Sequence, residues 1–480
     1  MSASLVGSEM CIRDRDMSQK SRTQSVMGQN QITEGVIWKQ LLLFFFPILF
    51  GTFFQQLYNT ADAVIVGRFV GKEALAAVGG PTGTLINLLV GFFVGLSSGA
   101  TVIISQFYGA KQPERVSRAV HTSIAFSIVG GIVLMVIGVA GAPWALSAMG
   151  TPDDILNHAV LYMRIYFLGV IGNLIYNMGA GILRAIGDSK RPLYFLIASC
   201  FTNIVLDIVF VVYLHMGVMG AALATIISQL VSAVLVIVVL MKTKESYHLI
   251  PRSIRLDLDM LKRIIQIGFP AGLQSVMYSA SNVIIQSSVN ALGTDTIAAW
   301  TAYGKIDSVF WMIINAFGIS VTTFVGQNYG AGKKDRVHKG VRVCLAMSFA
   351  ATFLLSVLLY CGGSYIYLLF TTDAAVIEKG TEILQYLVPT FFTYVCIEIY
   401  SGSLRGVGDC WIPMIITCLG VCALRVVWIW AAVPLRPTIQ TVIFSYPLTW
   451  VITSILFFFY FNWFSKLKKH HWYGFRRRNR

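Results

Sequence analysis

The sequence is short of charge. Asp, Glu, Lys and Arg make up 12% of its 480 residues, against roughly a quarter in an ordinary soluble domain. So few charges cannot cover the surface of a soluble fold of this length. Acids are scarcest, with 22 Asp and Glu against 37 Lys and Arg. Cysteine is sparse as well. Of eight cysteines, Cys418 and Cys422 share a helix face and the others are scattered, so neither a disulfide framework nor a zinc pattern can be drawn. The seven histidines are dispersed, with no pair at metal-ligand spacing. No nucleophile–base constellation accompanies them, so nothing points to a membrane-embedded enzyme. No metal is expected beyond Na⁺ at the site described below, and no cofactor.

What the chain has is apolar length. Hydrophobic residues make up 56% of it. Stretches of about twenty apolar residues are long enough to cross a bilayer. Twelve are legible, at 40–66, 81–107, 119–142, 156–181, 192–214, 217–241, 264–289, 304–328, 343–362, 380–401, 412–433 and 440–464. They fall into two halves that repeat each other. Gly181, Arg184, Gly187, Asp188 and Pro192 return as Gly402, Arg405, Gly408, Asp409 and Pro413, at an offset of 221 residues. Gln106, Tyr108, Gly109 and Ala110 return at the same offset as Gln327, Tyr329, Gly330 and Ala331. Phe46 and Pro47 return as Phe269 and Pro270, with the offset slipping by two. Six spans per half give both halves the same orientation, so the repeat is parallel, about a pseudo-two-fold axis along the membrane normal. The expected fold is an all-α polytopic membrane protein, twelve transmembrane helices in two six-helix bundles. The expected domains are a leader (1–35), an N-lobe (36–241), a cytoplasmic linker (242–262), a C-lobe (263–465) and a basic tail (466–480).

Charge sets the orientation. With the N-terminus inside, inner loops and tails hold 30 of the 37 Lys and Arg, and outer loops hold four: Arg68, Lys72, Lys379 and Arg436. Under the positive-inside rule both termini are cytoplasmic. The same partition accounts for the net charge of +15 without nucleic acid. The tail, with Arg476, Arg477 and Arg478, reads as a segment lying on anionic lipid. The first 26 residues do not fit the pattern; they read as partly non-native leader, with Met17 or Met27 as the start. The chain is expected in the inner (plasma) membrane, as a monomer.

Ionisable groups inside a bilayer are costly and mark function. In span 1, Tyr58 and Asp62 lie four apart on one helix face, with Gln55, Gln56 and Asn59 beside them. In span 5, Asn203 and Asp207 are again four apart. Thr225 lies mid-span 6, and Asn173 and Asn177 lie on span 4. If these helices face one cavity, two acids meet neutral oxygen donors away from bulk water. Such a pair shares a proton readily and makes a relay. The same oxygens also suit a hard cation such as Na⁺. Proton coupling is the preferred reading, because only the first half holds two such acids.

The second half does not copy the cluster. Trp428 stands where Asp207 would recur, and Leu424 where Asn203 would. This half has Asn282 and Gln286 on span 7, Lys305 and Asp307 near the start of span 8, Glu398 on span 10 and Arg425 on span 11. Lys305 and Asp307 read as interfacial. Glu398 and Arg425 either pair as a structural bridge or line the substrate cavity with Gln56, Asn282 and Gln286. Pro47 removes a backbone hydrogen bond in span 1 and bends it.

These residues resemble the multidrug and toxic compound extrusion (MATE) transporters. The resemblance is carried by Asp62 to Arg68, the Gln106 loop, the Arg184 loop and its copy, the Asn203–Asp207 pair, and Gly220 to Thr225. It implies twelve helices around a V-shaped central cavity, and efflux of small organic compounds driven by H⁺ or Na⁺. The DinF-like branch is the nearer match. By that resemblance the coupling roles fall on Tyr58, Asp62, Asn203, Asp207 and Thr225, and the bending proline is Pro47. The acidic C-lobe site of the NorM-like branch is not reproduced: Asn282 stands where an acid would. The expected activity is secondary antiport by alternating access. The rival is a lipid-linked precursor flippase of the same superfamily. Such flippases carry fourteen spans and basic cavities, whereas this chain has twelve and N-lobe acids.

Overall fold

The computed structural model describes residues 31–368, 371 and 373–467. Most of the leader and the tail from residue 468 onward lie outside the described residues. Among the described residues the chain is helical, with no strand. Twelve long helices follow in order: α1 Ile37–Phe69, α2 Pro81–Gly109, α3 Pro113–Ala148, α4 Asp153–Ile186, α5 Lys190–Tyr213, α6 Gly217–Lys242, α7 Leu258–Asn290, α8 Thr294–Gly330, α9 Lys334–Tyr367, α10 Ala374–Val407, α11 Trp411–Ala432 and α12 Ile439–Phe464. Short helices stand at Gln31–Glu34 and Lys72–Gly79.

Eleven of the twelve are long and apolar enough to cross a membrane. The exception is α7, which is 33 residues long but polar along much of its length. α2 of the other half packs closely against it, the two backbones meeting at Gly95 and Gly99 of α2 and Gly268 and Gly272 of α7. Several helices outrun the apolar stretches read from sequence. Span 8 starts at Thr294, so Lys305 and Asp307 stand well inside the helix rather than at its start.

The repeat is carried by the backbone at several helix ends. α1 and α7 begin 221 residues apart, as do α3 and α9. Gly187 and Gly408 end α4 and α10 with φ of 105° and 83°. That left-handed cap is open to glycine at little cost, which is why the loop repeats in sequence.

The first helix of each half changes partners along its length. Below Pro47, Leu41, Phe44 and Phe45, with Ile48 just past it, belong to the core of the second half. Phe45 stacks on Phe317 of α8, with ring centroids 4.1 Å apart. Above Pro47, α1 runs along α5, and Val66 joins the first-half core. α7 mirrors this. Met260, Ile264 and Ile267 sit in the first-half core, and Ile285 and Val289 in that of the second half. Pro47 and Pro270, each inside its helix, mark the crossovers.

The segments before α1 and α7 also cross. Ile32 and Thr33 are buried against the second half. Arg336 donates to the carbonyls of Ile32 and Gly35, and Lys333 to that of Thr33 at 2.9 Å. The linker before α7 lies on α3: Arg118 binds the Asp257 carboxylate, and Ile250 N–H donates to His121 Nε2 at 3.0 Å. Asp257 also caps α7 by accepting from Met260 N–H at 3.1 Å.

Candidate functional site

The first-half acids come together. α1 brings Tyr58 and Asp62, one turn apart, on its buried face. α5 brings Asn203 and Asp207, both with no exposed surface. The two carboxylates lie within electrostatic reach of each other. Thr225 of α6 is buried beside them, its hydroxyl donating to Ala221 O at 3.0 Å. Directly after Asp207, α5 turns π-helical over Ile208–Tyr213. Such turns recur at functional sites because they free backbone groups and re-aim side chains.

The chemistry of this cluster lies in what its atoms do not bond. Among the described residues, both oxygens of Asp207, both amide atoms of Asn203 and one oxygen of Asp62 are buried without a hydrogen-bond partner. A buried carboxylate without donors or a counter-ion is costly. The cluster is therefore set up to take a proton or a small cation.

Two residues of this site escaped the sequence reading. Tyr162 on α4 lies within electrostatic reach of Asp62 and Asp207 and beside Thr225. Tyr166, one turn on, has its ring centroid 6.4 Å from that of Tyr162. Their four-residue spacing was a usable signal, hidden because aromatics at helical spacing usually mark a core. Asn177, by contrast, turns to its own helix: its amide donates to the backbone O and Oδ1 of Asn173, both at 2.9 Å.

The second-half residues divide. Arg425 is buried, donates to Thr449 Oγ1 at 3.3 Å and lies 4.1 Å above the centre of the Tyr446 ring, within cation–π range. Among the described residues it forms no ion pair with Glu398, so the structural bridge is not made. Glu398 lies against Gly318 of α8, near a Tyr278–Tyr394 hydroxyl contact of 3.2 Å. Asp307 accepts from Tyr303 at 3.2 Å and Trp311 at 2.6 Å, a local network rather than an interfacial charge. Lys305 is exposed. Asn282 is exposed, Gln286 donates to Asn290 within α7 at 2.8 Å, and Gln56 is half-buried on α1.

At the basic end of the bundle the two halves meet closely. Gln106 Nε2 of α2 donates to Gly406 O of α10 at 2.8 Å. Gln327 Nε2 of α8 donates to Ala185 O of α4 at 2.6 Å. Beside them a Cβ on Gly109 would stand 2.0 Å from Gln327 O, and one on Gly330 2.0 Å from Gln106 O. Only glycine permits α2 and α8 to cross at that distance.

Comparison with known proteins gives consistent results. The family profile described as MatE matches residues 47–209 and 270–430. A probable multidrug resistance protein, YoeA, of Bacillus subtilis is 28% identical over 441 residues, covering 90% of this chain and 95% of its own. The multidrug export protein MepA of Staphylococcus aureus is 23% identical over 374 residues, covering 78% of this chain and 82% of its own. Among solved structures, a MOP superfamily transporter from Pyrococcus furiosus superposes with a TM-score of 0.85 at 22% identity, covering 91% of this chain and 97% of that one. An outward-facing multidrug resistance MATE family transporter superposes with a TM-score of 0.84, also at 22% identity, with the same coverage.

Proposed function

Because this chain belongs to the MatE family of multidrug and toxic compound extrusion transporters, we propose that it is a plasma-membrane antiporter exporting small organic, often cationic or amphipathic, compounds. The observation that carries the mechanism is the Asp62–Asp207 pair, buried between apolar helices with oxygens that no protein donor satisfies. Protons are the coupling ion. Tyr58, Asn203 and Thr225 complete the coupling site in the DinF-like manner, and Tyr162 stands beside it.

Both termini lie in the cytoplasm, as the partition of basic residues implies. The Gln106–Gln327 crossing then closes the cytoplasmic side. Protonation of the pair from outside weakens the hold on a cationic substrate, which leaves outward. Return to the inward-facing state requires the crossing to open and the lower parts of α1 and α7 to change partners. Pro47 and Pro270 are where those helices can bend. The flippase alternative has less support: its fourteen spans are not matched by twelve helices, and the similar proteins above are named for drug resistance.

The test is transport in proteoliposomes with proton and Na⁺ gradients imposed independently. Uphill efflux driven by a proton gradient alone, lost in Asp62→Asn and in Asp207→Asn, is expected. Efflux indifferent to both gradients refutes the antiport reading.

A further inference from the structure

Asp335, His338, Lys339 and Arg342 follow one another along α9 at the spacing of a single helix face. That face looks onto the last turns of α12. Together with Phe458, Phe461, Asn462 and Trp463 it lines an open cavity of about 650 Å³. α12 ends there in a π-helical turn, Tyr460–Phe464. The wider turn brings Phe461, Asn462 and Trp463 to the same wall. The His338 ring meets Phe461 edge-on at 6.1 Å. Among the described residues, none of the three basic side chains makes an ion pair, and Asp335 is the one acid facing them. Phe458, Phe459, Trp463 and Phe464 are exposed beside the cavity mouth, as aromatics at a membrane interface are.

The internal repeat shows what such a stripe binds. At the same offset in the first half stand Glu114, Ser117, Arg118 and His121 on α3. There the linker that follows α6 folds back and covers the stripe. It delivers the Asp257 carboxylate to Arg118 and the Ile250 N–H to His121. The counterpart after α12 delivers no carboxylate side chain: residues 466–480 contain seven Lys and Arg and no Asp or Glu. Among the described residues, the second-half stripe meets no carboxylate but Asp335, which leaves its cations open to an anion.

We propose that the α9–α12 cavity binds an anionic phospholipid of the cytoplasmic leaflet. Its phosphate sits on Lys339, Arg342 and His338, and its glycerol and upper acyl chains lie against Phe458 and Trp463. Basic pockets between membrane helices on the cytoplasmic side hold such headgroups. The aromatic rim favours a lipid over a soluble phosphate. The leaflet assignment rests on the orientation proposed above.

The test uses the purified full chain in detergent, with bound lipid read by native mass spectrometry. Phosphatidylglycerol, phosphatidylcholine and inorganic phosphate are the probes. Phosphatidylglycerol should be retained over phosphatidylcholine, and millimolar-range phosphate should not displace it. The double variant Lys339→Gln, Arg342→Gln should lose about 25-fold in affinity, about fivefold per cation. If the double variant does not fold, each single variant should show its own fivefold loss. Arg118→Gln, at the equivalent covered position, should change nothing. Equal retention of the two lipids, displacement by phosphate, unchanged binding in the Gln variants or an equal loss in Arg118→Gln would each overturn the proposal. Transport is not the readout, so failure here leaves the coupling role of Asp62 and Asp207 standing.

Discussion

Gln106 and Gln327 occupy equivalent positions in the two halves, and each caps a helix of the other half. Gly406 and Ala185, whose carbonyls they bind, lie in the last turns of α10 and α4. Carbonyls there have no partner within their own helix. The closed crossing thus satisfies four buried polar groups with two bonds, and opening it exposes all four to a new environment.

Gln106→Leu and Gln327→Leu should therefore each shift the population toward an opening at this end. Leaving a buried carbonyl unpaired costs about 1–3 kcal/mol, so the shift should be about fivefold or more. Spin labels at Lys111 and Lys334 would read it as a longer distance. A distance distribution identical to the parent's in both variants would show that the glutamines do not latch the crossing.

Asp62→Asn and Asp207→Asn should each abolish concentrative efflux while leaving expression and membrane insertion close to the parent's. Asparagine keeps the size of the side chain and removes only its charge and its titration. The check is accumulation of substrate against its own gradient in everted vesicles. A variant that still concentrates substrate like the parent takes that residue out of the coupling role.

The sequence made the helices and the acid pair legible for simple reasons. Apolar runs announce membrane helices whatever their neighbours, and a charge in such a run has few bland explanations. Gly187 and Gly408 betrayed the repeat because a left-handed cap restricts the residue. Partner identity is different. The apolar face of α1 below Pro47 looks the same whether it packs on its own half or, as it does, on Phe317 of the other. The stretch 264–289 likewise reads as one more apolar span, with nothing in it to say that Gly268 and Gly272 pack against α2 of the other half. The Asn177 amide bonds along its own helix to Asn173, a partner that four-residue spacing offers as readily as one across a cavity.

Pro47→Ala should stiffen α1. The proline lacks the N–H that would bond the Leu43 carbonyl, and alanine restores it, with a helix preference up to about 3 kcal/mol better. Thermal stability should hold or rise while turnover falls, because in the proposed cycle the crossover at residue 47 bends as the halves exchange partners. Turnover equal to the parent's would separate the kink from the transport cycle.

The linker should respond to acid. The Arg118 guanidinium beside Asp257, and the Met260 N–H it caps, hold its carboxyl below the usual carboxylate range. A folded pKa lower than the unfolded one gives docking stability that is fully present above the unfolded value, about 4. That stability is lost as pH falls through the lower folded value. The linker should stay docked at neutral pH and loosen only in strong acid. Asp257→Ala should loosen it at every pH, by about 1 kcal/mol from the lost cap. Faster trypsin cleavage at Arg252 and Arg255 in the variant is the readout, and unchanged cleavage would refute the anchor.

The choice of coupling ion follows from which state holds substrate. A ligand moves a conformational equilibrium only through different affinities for the two states. If a proton drives export, then the deprotonated Asp62–Asp207 pair must hold a cationic substrate better than the protonated pair does. Affinity should therefore weaken as pH falls through the titration of the pair. Asp207→Asn should flatten that dependence, since one acid can no longer share a proton with the other. Na⁺ should compete weakly or not at all, because the second half supplies no acidic cage and, in the proposed mechanism, the first-half oxygens hold the proton. Binding measured by scintillation proximity across pH, with and without Na⁺, decides between the two. Affinity that ignores pH and follows Na⁺ would transfer the same five residues from a proton relay to a sodium site.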